Sequence, residues 1–359
     1  MSIDSLLGGA DLDSMPFVCP NGPKVKAGIK VEPEDFIVEE IPAYEPSGEG
    51  EHLYLWVQKR DISGSELIKR ISNSMGIPHQ EIGTAGTKDR RAVTRQWISI
   101  PGNKESRIGY LAGTQGIEIL AAKRHGNKLR TGHLWGNRFQ ILLRDAALDQ
   151  LEELKATAKT LGEVGFFNLF GTQRFGRDVD NLHSGLALLT GESKRPRLNR
   201  FQHRMVVSSL QSALFNLYLQ KRVVEGLEQA VMLGDVMAKV ETGGLFHALE
   251  LEAEQARFEK GETCITGPMY GHRMKTALEK AAIFESDFLQ SFGLTLEAFK
   301  VFGQLADGSR RPLRVKPLNL TMEPHENGIQ LSFALPKGSY ATVLLREFVN
   351  DQNPTPEQE

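Results

Sequence analysis

Apolar and polar residues alternate with a period of two in several short stretches, and recur every three to four residues in several longer ones. Phe36 and Val38 share one face of a strand predicted to follow the turn at Pro33, and Leu53, Leu55 and Val57 oppose Tyr54 and Trp56 in a second. Further strands are predicted over residues 94–100, 117–121, 129–134, 138–143 and 329–335. Ser63-x-x-Glu66 forms a capping box, and Leu67, Ile68, Ile71 and Met75 supply the apolar stripe of the helix it opens. Gly76-Ile77-Pro78 ends that helix. Other helical periods cover 146–161, 205–224, 275–284 and 294–302, and a short helix capped by Ser339 covers 341–348. Residues 1–25 read as a loose arm and 351–359 as a disordered polar tail. Strands and helices mix without regular β-α-β alternation, so the pattern predicts an α+β fold with a mixed, largely antiparallel sheet and flanking helices.

A chain of 359 residues is long for one core. Composition shifts over 194–314, which opens on a basic linker and carries its own apolar helix, so a second α+β domain is expected there. No run of about 20 apolar residues occurs, and the N-terminus lacks the basic start and apolar core of a signal peptide, which points to the cytoplasm and away from a membrane. Cys19 and Cys264 form no Cys-x-x-Cys pair, and the nine histidines are scattered, so neither a disulfide framework nor a metal site is expected.

Net charge is −2, which by itself argues against a polyanionic partner. Its distribution argues the other way. Between Glu118 and Asp145 no acid occurs, while Lys123, Arg124, Lys128, Arg130, Arg138 and Arg144 do. A second basic run holds Lys194, Arg195, Arg197, Arg200 and Arg204, and a third Arg310, Arg311, Arg314 and Lys316. The compensating acid lies elsewhere, with eight acids and no base over residues 32–51. Segregation of this kind suits a face for a polyanion, although any one such run also reads as a solvated surface.

Two stretches carry candidate chemistry. Residues 83–97 set Asp89 on a loop among Lys88, Arg90, Arg91 and Arg95. Such surroundings hold a carboxylate ionised and make it a candidate nucleophile. The same residues also read as a solvated turn with surface ion pairs. Residues 165–176 pack four aromatics, three glycines, Asn168 and an Arg into twelve positions. Aromatics that glycines let approach a ligand suit base stacking, and the Asn168 amide can pair with a uracil edge. A buried turn with core phenylalanines is the alternative.

Four motifs in order, Pro33-Glu34-Asp35-Phe36-Ile37-Val38-Glu39-Glu40, Gly86-x-Lys88-Asp89-x-x-Ala92-Val93-Thr94-x-Gln96-Trp97, Asn168-x-Phe170-Gly171-x-Gln173-Arg174-Phe175-Gly176 and Leu335-Pro336-x-Gly338-Ser339-Tyr340-Ala341-Thr342, resemble the tRNA pseudouridine synthase D (TruD) family across nearly the whole chain. The resemblance implies an isomerase that converts uridine-13 of transfer RNA to pseudouridine, without metal or organic cofactor; a monomer is expected. It places the catalytic role on Asp89 and substrate contacts on Phe36, Asn168 and Tyr340, with Lys30 and Phe170 in the same motifs. Lys30 or a neighbouring Arg is the expected ion-pair partner of Asp89. The resemblance also implies a pseudouridine synthase catalytic domain of residues 1–193 and 315–359, interrupted by a family-specific insertion over 194–314. Leu169 stands where the family often has an aromatic, and Tyr340 where it also uses Phe. A binding protein of the same fold that lacks the chemistry is the alternative from another class.

Overall fold

A computed structural model of the chain describes residues 3–111, 113–176, 179–191 and 198–350. It divides into two compact units, one of Met1–Pro20, Gly165–Val315 and Thr342–Leu344, the other of Asn21–Val164, Lys316–Ala341 and Leu345–Glu359. The fold is α+β.

The second of these units is built on one eight-stranded sheet. Its strands run Leu318–His325, Gly328–Pro336, Leu134–Arg144, Phe36–Pro42, Val93–Pro101, His52–Arg60 and Ile117–His125, and the short Gly83–Thr84 also pairs with Val93–Pro101. Phe36–Pro42 and Val93–Pro101 run parallel, and the other pairings are antiparallel. One face is closed by the helix Gly64–Met75, whose Leu67, Ile71 and Met75 are buried against Leu53, Leu55, Val57, Ile98 and Ile100. Each of those side chains contributes roughly 1.5–3 kcal/mol by leaving water. Ser63 accepts from the Glu66 N–H as expected, but the Glu66 carboxylate turns to Arg70 at 2.7 Å, so only half of the capping box forms. Gly76 ends the helix in the left-handed region at φ 61°, a conformation that favours glycine.

The strand expected over 129–134 is instead a turn that follows Leu129. Its buried apolar residues, Leu129 and Leu134, are five apart and cannot share a strand face, and Gly132 at φ 90° donates its N–H to the Ala85 carbonyl.

The other unit is organised on the 25-residue helix Arg200–Val224, opened by a reciprocal Asn199/Gln202 capping box. A four-stranded sheet in the order Leu245–His247, Val236–Lys239, Thr263–Met269 and Ser309–Pro312 belongs to it. Arg222 is fully buried, with Nη1 and Nη2 at 2.8 and 3.1 Å from the Asp235 carboxylate. The arm expected to be loose is tied down here. Ile3–Ala10 forms a 3-10 helix with Leu6 buried, and the Gly9 carbonyl accepts from Asn216 Nδ2 at 2.8 Å. Glycine is required at that position, because a Cβ on Gly9 would collide with the Ala213 backbone.

Candidate active site

The strand pairing that brings residues 37–39 beside 93–95 also sets the loop between Gly83–Thr84 and Val93–Pro101 next to the segment before Pro33. Gly83 has no room for a side chain, since a Cβ there would collide with the Leu129 carbonyl and the Ser99 hydroxyl. Asp89 emerges from this loop half-buried, and its Oδ1 accepts from Lys30 Nζ at 2.9 Å. Lys30, 7% exposed in its side chain, also stands over the Phe36 ring at 4.2 Å from the centroid. The Phe36 ring meets Phe139 edge-on at 6.1 Å.

Three charged layers support that pair. Lys59 is buried at the end of the strand His52–Arg60 and donates to the backbone carbonyls of Ile62 and Asp89. Burial pushes its ammonium down to about 8, against the attraction of the Asp89 carboxylate. Lys88 turns inward to Glu40 at 2.9 Å, and both side chains are buried. Asp35 takes Arg144 Nη2 and Nε at 2.6 and 3.1 Å and accepts the Glu32 N–H at 2.8 Å. Arg144 also exchanges backbone hydrogen bonds with Gly28, so this clamp holds both sides of the turn that presents Lys30 in the left-handed region at φ 58°.

Three of the four cations expected to surround Asp89 are engaged elsewhere. Lys88 serves Glu40, Arg91 Nη2 donates to the Val31 carbonyl at 2.6 Å, and Arg95 reaches Gln58 and Glu39. Tyr340 lies in the same unit, half-buried in the turn before the helix Ala341–Leu345.

Asn168 and Phe170 belong to the other unit. Asn168 is 3% exposed; its Oδ1 accepts from Arg311 Nη2 at 2.6 Å and its Nδ2 donates to the Pro312 carbonyl at 3.0 Å. The Arg311 guanidinium lies over the Phe170 ring at 4.0 Å. The Phe170 N–H and carbonyl are both taken by Asn216, at 2.8 and 3.1 Å. A cation thus covers a phenyl ring in both units, Lys30 over Phe36 and Arg311 over Phe170.

The family model described as tRNA pseudouridine synthase D (TruD) matches residues 14–196 and 196–348. The tRNA pseudouridine synthase D of Anaeromyxobacter dehalogenans is 39% identical over 350 residues, 96% of this chain and 99% of its own. That of Thermus thermophilus is 44% identical over 334 residues, 92% and 91% of the two chains. The crystal structure of a Methanosarcina mazei protein assigned to tRNA pseudouridine synthase D superposes with a TM-score of 0.77 at 25% identity, covering 96% of this chain and 98% of that one. The chain belongs to the tRNA pseudouridine synthase D family.

In this member of the tRNA pseudouridine synthase D family, the side chains that sequence reasoning missed are Lys59 and Glu40. Both have a legible signal. Glu40 continues the buried parity of Phe36 and Val38, and Lys59 that of Leu53, Leu55 and Val57, so each alternating run ends on a charge that stays inside. In the third basic run three cations are structural, while Lys316 is exposed. Arg310 is buried on Glu285 at 2.7 Å, Arg311 holds Asn168, and Arg314 lies 4.7 Å over the Phe167 ring and 3.6 Å from Glu228. In the first run Arg144 and Arg124 are likewise committed, to Asp35 and Glu105, while Lys123 and Arg130 are exposed. Lys194, Arg195 and Arg197 of the second run lie outside the described residues, as does the tail 351–359; Arg200 and Arg204 are exposed.

Among the described residues no group of three or more His, Cys, Asp or Glu is placed to hold a metal ion. No described helix is long and apolar enough to cross a membrane.

Proposed function

We propose that the protein is a tRNA pseudouridine synthase acting on uridine-13, with Asp89 as the reacting carboxylate. The observation that carries this reading is the Lys30–Asp89 pair, a half-buried carboxylate held by an ammonium that sits over an aromatic ring. Making pseudouridine breaks the N1–C1′ bond and forms C5–C1′; the C5 proton leaves and N1 regains one, so the reaction balances without an oxidant, a metal or an organic cofactor. An ionised carboxylate serves it by adding to C6 of the uracil, by trapping C1′ as a retaining glycosidase does, or by taking a proton from the sugar to give a glycal. Lys30 keeps that carboxylate in place until substrate excludes water.

The target base leaves its stack at a cost of a few kcal/mol. Stacking on Phe36, Tyr340 or Phe170 offsets roughly 1–3 kcal/mol of it. For Phe36 and Phe170 this requires Lys30 or Arg311 to give up the ring face it covers. With its amide engaged by Arg311 and Pro312, Asn168 acts either by exchanging those bonds for the uracil edge or by holding Arg311 toward substrate. We further propose that the protein works as a monomer, and that residues 194–314 are an insertion in a catalytic domain of 1–193 and 315–359. Exposed Lys123, Arg130, Arg200 and Arg204 supply phosphate contacts that set register without reading sequence.

The test is to incubate the protein with unmodified transfer RNA and map carbodiimide-dependent reverse-transcription stops. A single stop reporting position 13, absent from a transcript with cytidine there, is the expected result. Modification at another position would overturn the site assignment, and no modification of any transcript would overturn the activity.

A further inference from the structure

Lys59 is a buried charge that takes no part in the proposed chemistry. It is fully buried, its Nζ donates to the backbone carbonyls of Asp89 and Ile62, and its strand partner is Thr94, so it joins the end of one strand to the loop that precedes the next. Burying an ammonium is costly in desolvation, and here two peptide carbonyls offset that cost. One of these carbonyls belongs to the residue whose side chain is proposed to react.

We propose that Lys59 is a positioning residue for Asp89: by holding the Asp89 peptide carbonyl with a charged donor, it aims the neighbouring carboxylate at Lys30 and at the substrate sugar. This rests on the reading of Asp89 as the reacting group. Charge-assisted hydrogen bonds are about twice as strong as neutral ones, so the hold weakens when the ammonium loses its proton. The charged groups around it are Asp89 and Lys88 on the loop, Asp61 in the adjoining turn and Lys30 on the facing segment. Burial and the two lysines favour the neutral amine, the two aspartates favour the ammonium, and the balance falls at about 8. Activity should therefore fall above that pH while RNA affinity does not.

The test is the pH profile of single-turnover pseudouridine formation and of tRNA binding for wild type, Lys59→Met and Lys59→Arg. Wild type is expected to lose rate above pH about 8 at unchanged binding. Lys59→Met should lose at least tenfold in rate at pH 7, keep its affinity for tRNA and show no alkaline limb, and Lys59→Arg should recover part of the rate and carry it to higher pH. A folded Lys59→Met with the wild-type rate and profile would overturn the proposal. Should both variants fail to fold, 13Cε-lysine NMR of the intact protein decides. One lysine should titrate near 8 and move upon Asp89→Asn; finding no lysine that titrates below about 9.5 would overturn the proposal. A wild type that makes no pseudouridine at any pH would strike the proposed function instead, and the NMR titration would still report on Lys59.

Discussion

Lys88→Met removes half of an ion pair that lies beneath the Asp89 loop. Glu40 is fully buried in its side chain and Lys88 is 4% exposed, so the variant strands a carboxylate whose remaining partner is the Trp97 N–H at 3.3 Å. Breaking a buried pair in this way costs about 3–5 kcal/mol, two to more than three orders of magnitude in the folding equilibrium. Glu40→Gln keeps an acceptor for the ammonium and should cost less, about 1–3 kcal/mol. The double variant holds two neutral side chains of nearly the original shape and should lie within about 1 kcal/mol of wild type, because neither desolvation penalty remains. All three tryptophans, Trp56, Trp97 and Trp135, belong to the unit that carries the pair, so their fluorescence in urea follows that unit alone. Midpoints and slopes from the four proteins close a double-mutant cycle. If each single variant cost under about 1 kcal/mol, or the two simply added in the double variant, the pair would not be a buried, mutually dependent unit.

Asp35→Asn keeps the turn but loses one charge of the Arg144 clamp behind Lys30, and should cost about 1–3 kcal/mol of stability in the same fluorescence assay while lowering the turnover rate more than tRNA affinity. A larger effect on affinity than on rate would mean the clamp does not act through Lys30. Burial raises the Glu285 carboxyl from 4.5 to about 7, in spite of Arg310. A folded value above the unfolded one means that its contribution is fully present below pH 4.5 and is lost as pH rises through 7. Thermal unfolding should therefore show wild type losing more stability between pH 4.5 and pH 8 than Glu285→Gln, and equal slopes for the two proteins would contradict the assignment.

The sheet was legible where burial is one-sided. Phe36 and Val38, and Leu53, Leu55 and Val57, announce their strands because a pleated strand sends alternate side chains to one face. The helix opened by Ser63 was legible because a cap, an apolar stripe and a glycine stop agree. What escaped reading is set by partners distant in sequence. Lys88 looks like one more loop cation until the parallel pairing of residues 37–39 with 93–95 brings Glu40 beneath it. Arg311 and Arg144 look like phosphate ligands until Asn168 and Asp35, 143 and 109 residues away, claim them. Basic composition measures charge, and the fold decides how much of it faces water. The arm was misjudged for a related reason, since Gly8-Gly9 suggests freedom, whereas Gly9 is there for a close backbone approach to Ala213.

Release of tritium from transfer RNA labelled at uracil C5 reads the proposed chemistry at the bond that changes, because C5 gives up its hydrogen when it joins C1′. Asp89→Asn is close to isosteric, keeps an oxygen for Lys30 and should leave tRNA affinity within about threefold of wild type, a free-energy difference of under about 1 kcal/mol. Wild type should release one tritium per modified tRNA and the variant none above background. Tritium release by Asp89→Asn at the wild-type rate would contradict the central role given to that carboxylate.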